Sequence, residues 1–223
     1  MRQTARNHST EPRDATAHFQ DALARAQHFE QPYDYWLLDR VLPESLIDDL
    51  LALPVPTIAQ PIFGGRRENN NGMRYHFSPE KQEQFDACRQ TVAAFGDPET
   101  VRSIERMTKA DLSQGKLRVE YCQDVDGFWL EPHLDLGVKL FTMMLYLSKD
   151  PALHDAGTDI YDATPAHKLV TSAPYASNKG MIFIPGANTW HGLSKRPIRG
   201  VRKSLMINFV SSEWRNESEL AYR

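Results

Sequence analysis

Beyond Gly115 the chain reads as strands. The segments 117–123 (LRVEYCQ), 138–147 (VKLFTMMLYL), 180–184 (GMIFI) and 201–210 (VRKSLMINFV) are rich in β-branched, aromatic and long apolar residues, and Gly, Pro, Asn and Asp punctuate the gaps between them. The two longest, 138–147 and 201–210, are too apolar for edges and belong in the middle of a sheet. The half before them is different. Phe19, Ala22, Leu23 and Ala26 recur at helical spacing over 17–29, and Pro43-Glu44 opens a helix to about Leu53 with Leu46, Ile47, Leu50 and Leu51 on its apolar face. Further helices are predicted over 79–95 and 98–113, with a short strand over 33–41. Helices first and strands second imply an α+β chain built on an antiparallel sheet or sandwich.

No repeat or linker divides the 223 residues, so one domain is expected over 17–223: helix-rich over 17–114, with a strand core over about 115–212. Residues 1–16 lack apolar periodicity and read as a flexible tail. The formal charge of −3 argues against nucleic acid as a partner. No apolar run approaches the roughly 18 residues of a membrane span. The first 17 residues have no apolar core of a signal peptide, and Cys88 and Cys122 form no CxxC pair, which together point to reduced thiols in the cytoplasm. Zinc ribbons and thioredoxin-like centres are excluded. Any metal here must be held by His and carboxylates. No oligomeric state is specified.

His133-Leu134-Asp135 is the first such candidate. On an extended segment both side chains share one face, so imidazole and carboxylate converge on one cation. The triplet alone is weak: with 8 His and 29 acidic residues in 223, about one His-x-acid triplet arises by chance. His28-Phe29-Glu30 is a decoy of that kind, at the end of a predicted helix where i and i+2 point apart. The C-terminal context is more specific. His191 lies just past an apolar strand, and 11 residues on, Arg202 opens an alternating strand whose one face carries Arg202, Ser204, Met206 and Asn208. If that face points inward, burying the guanidinium without a partner is costly, so an inward Arg202 predicts an anionic ligand inside the barrel, and its planar fork suits a carboxylate. Two His and one carboxylate on a β scaffold form the facial triad of non-haem Fe(II) oxygenases.

On these residues the sequence resembles the Fe(II)/2-oxoglutarate-dependent dioxygenases, in their prolyl-4-hydroxylase-like branch. HxD at 133–135, a distal His 58 residues on, TMMLYLS at 142–148 (similar to a TxxxYLN element) and GVRKSL at 200–205 (similar to GxRxSL) carry the resemblance over about 117–210. It implies a double-stranded β-helix (jelly-roll) core with helices packed from the N-terminal half. It implies His133, Asp135 and His191 as catalytic Fe(II) ligands. It implies Arg202 on the distal carboxylate of 2-oxoglutarate, with Ser204, Tyr146 and Tyr121 as further cosubstrate contacts. Arg196 and Arg199 share the loop before Arg202, which is preferred because it alone opens the right strand. The implied reaction consumes O2 and 2-oxoglutarate, releases succinate and CO2, and hydroxylates a substrate C–H bond, with ascorbate as a candidate reductant. Asp135 argues against a halogenase, which lacks that carboxylate.

The substrate is open between a small molecule and a protein side chain. A cupin-like metal- or ligand-binding jelly roll is the alternative, to be recognised by an additional His or Glu ligand such as His154. A non-catalytic interaction domain is the third reading. Asn208 reads as a structural amide, and His76, His154 and His167 as surface or loop residues. The stretch 150–162 reads as a lid or a solvated loop, and Arg66, Arg67 and Arg74 as an anion-binding or merely charged loop. Trp129 and Trp190 flank the candidate ligands in sequence, to pack beneath the site or to line the substrate entrance.

Overall fold

The computed structural model describes residues 15–56, 64–65 and 74–222. Arg66 and Arg67 lie outside them, as does most of the tail expected over 1–16; helix α1 already begins at Ala15. In chain order the elements are α1 (Ala15–Ala24), β1 (Gln27–Phe29), β2 (Tyr35–Asp39), α2 (Glu44–Leu51), β3 (Tyr75–His76), α3 (Pro79–Gln84), α4 (Asp86–Gly96), α5 (Pro98–Thr108), β4 (Lys116–Asp124), β5 (Leu130–His133), β6 (Lys139–Tyr146), β7 (Asp159–Tyr161), β8 (Leu169–Ser172), β9 (Lys179–Phe183), β10 (His191–Leu193) and β11 (Arg202–Val210).

The strands form two sheets. The larger runs β1-β2-β9-β6-β11-β4-β3 and the smaller β5-β10-β7-β8, with every pairing antiparallel. The two long apolar runs became β6 and β11, which lie side by side in the large sheet. Period-2 alternation gives each a double life. Leu117, Val119 and Tyr121 of β4, Phe141, Met143 and Leu145 of β6, and Leu205, Ile207 and Phe209 of β11 pack with Phe19, Ile47, Phe95 and Ile104 of the helices. The opposite faces of β6 and β9 send Met144, Tyr146, Met181 and Phe183 toward Ile160 and Leu193 of the small sheet. Helices therefore cover one face of the large sheet, and the small sheet closes over the other as a jelly roll.

Three expectations are corrected. The first helix stops at Ala24, and Gln27–Phe29 is an edge strand whose His28 and Phe29 rings stack on Trp36 and Tyr35 of β2; aromatic cross-strand pairs outweigh the weakening helical pattern. The helix expected over 79–95 is two. Phe85 is extended (φ −132°, ψ 118°) and packs against the core, because α3 (PEKQEQ) buries nothing. The stretch 150–162 ends in β7 as neither lid nor solvated loop: Asp159 is fully buried and accepts from Ser172 Oγ (2.6 Å), Ser194 N (2.7 Å) and Ser194 Oγ (2.8 Å), with Arg196 as its ion-pair partner. That pair occupies Arg196 away from the candidate site.

Candidate metal centre

Strands β5 and β10 of the small sheet bring His133 and His191 together as Cα partners, with ring centroids 4.3 Å apart. Gly192 makes this approach possible: a Cβ there would meet Leu130 O at 2.8 Å and Glu131 O at 3.0 Å. Asp135 follows two residues past the end of β5. One ligand atom from each of His133, Asp135 and His191 lies within 4.8 Å of the others. Among the described residues this group contains no fourth His, Cys, Asp or Glu; His154 is on the surface, against Pro151 O.

Each imidazole is oriented by its own backbone. His133 Nδ1 lies 2.9 Å from Glu131 O, and His191 Nδ1 lies 2.9 Å from Thr189 O. An Nδ1–H donated to a carbonyl leaves the ring lone pair on Nε2, the usual arrangement of metal-binding histidines. Burial lowers the His191 pKa to about 4, so its ring is neutral near pH 7. Asp135 is held from both sides: Lys139 Nζ donates to Oδ1 and the Thr142 hydroxyl to Oδ2, each at 2.7 Å. Asn208 Nδ2 in turn donates to Thr142 Oγ1 at 2.9 Å.

A cavity of about 60 Å³ is lined by all three residues and by Arg74, Cys122, Asp124, Thr158 and Arg202 among others. Arg202 is buried, with its guanidinium carbon 5.7 Å from the ring centres of both Tyr146 and Tyr175. The anionic partner expected from a ligand is here supplied by the protein itself. Nη1 donates to Asp124 Oδ2 at 2.6 Å and Nε to Ala156 O at 2.7 Å. Burial works against the Arg202 charge, but Asp124 and the two tyrosines hold its pKa above the ordinary value.

Ser204 is on the same face of β11, fully buried, and its Oγ has no hydrogen-bond partner among the described residues. Tyr146 is also buried beside Arg202, but its hydroxyl donates to Thr158 Oγ1 at 2.8 Å and accepts from Thr158 N at 3.1 Å. Tyr121 is not brought into the site. As an odd-numbered residue of β4 it shares the helix-side face with Leu117 and Val119, while Glu120, Cys122 and Asp124 point the other way.

No family model and no curated protein matches the chain. Solved structures do. A prolyl-4-hydroxylase from Pseudomonas putida superposes with a TM-score of 0.56 at 20% identity, over 88% of this chain and 93% of that one. A prolyl hydroxylase from Trichoplax adhaerens, in complex with a hypoxia inducible factor oxygen degradation domain peptide fragment, gives 0.57 at 11% identity over 89% and 90%. The non-heme alpha ketoglutarate dependent epimerase SnoN from nogalamycin biosynthesis gives 0.53 at 14% identity over 89% and 83%. The chain has the fold of these prolyl-4-hydroxylase structures, a jelly-roll core with helices against the large sheet.

Within this oxygenase fold the residues present fit the implied groups. Two neutral-imidazole donors and one carboxylate suit a divalent transition metal. The buried Ser204 Oγ, without a hydrogen-bond partner among the described residues and two residues along the same strand face from Arg202, suits an incoming carboxylate. Sequence reasoning missed Thr142 and Asp124 as parts of this cavity and Lys139 as a partner of Asp135; Arg74, read as an anion-binding or merely charged loop residue, lines the cavity. For Thr142 a signal existed in the even-numbered face of β6, which it shares with Met144 and Tyr146. Asn208, read as a structural amide, does play that part, yet it acts on a candidate ligand through Thr142. His76 is not a free surface residue: it is half-buried 3.9 Å from Glu219, beside the buried Arg74–Glu120–Arg118 ion-pair chain. Trp129 lies across Gly65, whose φ of +71° and contact with the indole admit no side chain, and His167 covers Trp190 at 3.8 Å. Among the described residues no helix is long and apolar enough to cross a membrane.

Proposed function

We propose that this chain is an Fe(II)- and 2-oxoglutarate-dependent dioxygenase that hydroxylates a C–H bond, working as one domain over 17–223. The reading is carried by the convergence of His133, Asp135 and His191, with both histidines fixed through Nδ1. Bound there, Fe(II) supplies O2 activation coupled to decarboxylation of 2-oxoglutarate to succinate, with ascorbate as a candidate reductant. The chain's own residues do the rest. His133 and His191 offer Nε2 lone pairs, while Thr142 and Lys139 hold the Asp135 carboxylate in place. Arg202 and Ser204 receive the distal carboxylate of 2-oxoglutarate, with Tyr146 as a wall that keeps the guanidinium in position. Phe128, Leu130, Phe183 and Leu193 line the cavity with apolar surface that excludes water.

Because hydroxylases and an epimerase share this fold, the fold does not select the substrate. The Trichoplax neighbour's peptide complex makes a protein side chain one substrate class to test, and a small molecule the other. The buried free thiols of Cys88 and Cys122 favour a reducing cytoplasm. The test is an anaerobic titration of metal-free protein with Fe(II), then 2-oxoglutarate. A visible charge-transfer band saturating near one equivalent is expected, absent in His191→Ala and with succinate in place of 2-oxoglutarate. Iron binding without the band would favour the cupin-like alternative, and no iron binding would end the metal-centre reading.

A further inference from the structure

Asp124 and Arg202 are Cα partners across β4 and β11, and both side chains line the metal-proximal cavity. We propose, resting on the function above, that Asp124 is a specificity-determining residue that competes with the distal carboxylate of 2-oxoglutarate for Arg202. It would thereby hold the pocket's preference for an anionic keto acid below what the guanidinium alone would set.

Three observations carry this. The Nη1–Oδ2 contact of 2.6 Å joins groups whose side chains are only 6% and 11% exposed, so solvent screens the pair weakly. The guanidinium cannot swing away to a new partner: Nε is tied to Ala156 O at 2.7 Å, and the rings of Tyr146 and Tyr175 flank it. Two of its five N–H donors are thus committed. Finally, among the described residues Arg74, the other guanidinium lining the cavity, is already paired with Glu120. A carboxylate arriving at Arg202 therefore meets a like charge already seated on that guanidinium, whereas an uncharged ligand end does not.

The test uses calorimetric titration of the full chain loaded with Mn(II), so that binding is read without turnover. The ligands are 2-oxoglutarate and 2-oxopentanoate, the five-carbon keto acid with a methyl in place of the distal carboxylate. The proteins are wild type, Asp124→Asn and Asp124→Ser, with thermal midpoints as the check on folding. Removing the carboxylate should tighten 2-oxoglutarate about tenfold and leave 2-oxopentanoate nearly unchanged, so that the ratio of the two affinities shifts by the same factor. A general loosening of the pocket would move both ligands together and would overturn the proposal. So would unchanged or weaker 2-oxoglutarate binding in whichever variant folds, while wild-type binding still upheld the proposed function. If no protein binds 2-oxoglutarate, the proposed function fails and this inference with it.

Discussion

The Thr142 hydroxyl donates to Asp135 Oδ2 at 2.7 Å while accepting from Asn208 Nδ2 at 2.9 Å. The candidate carboxylate ligand is therefore aimed from the centre of the large sheet, although it belongs to a loop at the edge of the small one. Thr142→Val keeps the shape and removes both bonds. Metal affinity should fall about 10- to 100-fold, as is typical when the partner of a ligating group is lost. Stability should fall by about 1–3 kcal/mol, because the Asn208 amide loses a buried acceptor. Titration with Co(II) and denaturant unfolding measure the two effects separately, and an unchanged metal affinity would remove Thr142 from the site.

Ser204 separates binding from folding. Its Oγ is buried without a hydrogen-bond partner among the described residues, so Ser204→Ala should leave the thermal midpoint unchanged or slightly higher. Affinity for 2-oxoglutarate should weaken several-fold, by the net value of about 1 kcal/mol for one hydrogen bond. A variant that loses stability while keeping its 2-oxoglutarate affinity would show that the hydroxyl serves the fold instead.

The two kinds of candidate ligand should differ when deleted. His191→Ala removes a neutral ring, and its main effect should be to abolish the stabilisation that Co(II) or Mn(II) gives wild type, about 2.7 kcal/mol at a hundredfold excess over Kd. Asp135→Ala also removes a buried ion-pair partner of Lys139 at 2.7 Å, and should cost about 3 kcal/mol or more in the metal-free protein. Unfolding curves with and without metal distinguish the two. Equal stability of the two metal-free variants would mean that the Lys139 pair contributes little.

Acid should unfold the protein through the buried Arg74–Glu120–Arg118 ion pairs. Glu120 is fully buried between Arg74 and Arg118. Burial alone would raise its pKa, but Arg74 and then Arg118 outweigh burial and bring it from the ordinary 4.5 down to about 2. A depressed carboxylate pKa contributes stability that is complete above 4.5 and is lost as pH falls toward 2. Denaturant unfolding at several pH values in that window should show a steep loss in wild type. Glu120→Gln should flatten this slope while lowering stability at pH 7, since two buried guanidinium groups then lose their shared anion. A pH-independent wild type over the window would contradict the assignment.

Much of the molecule was legible in the order of its residues. Strand-type composition between Gly, Pro, Asn and Asp breaks identified β4, β6, β9 and β11 within a residue or two, and the long apolar runs of β6 and β11 placed them at the centre, because only a strand covered on both faces tolerates such runs. HxD, the distal His and the Arg-led strand marked the candidate site before any coordinates. The strands that hold the histidines were not legible: β5, β7, β8 and β10 are three or four residues long, and their pairing comes from partners far away in sequence. Tyr121, which the resemblance implied as a cosubstrate contact, lies in the helix-side core; alternation says which residues share a face and not which face meets the cavity. Charge compensation lay beyond the sequence as well. Arg202 is 78 residues from Asp124, and Asp135 is 73 from Asn208 at the far end of the Thr142 relay. Local residue pattern determined strands, helices and the chemistry available to them. Only the closing of the small sheet over the large one decided which charges met, because ion pairs and hydrogen bonds depend on ångström distances that sequence separation does not encode.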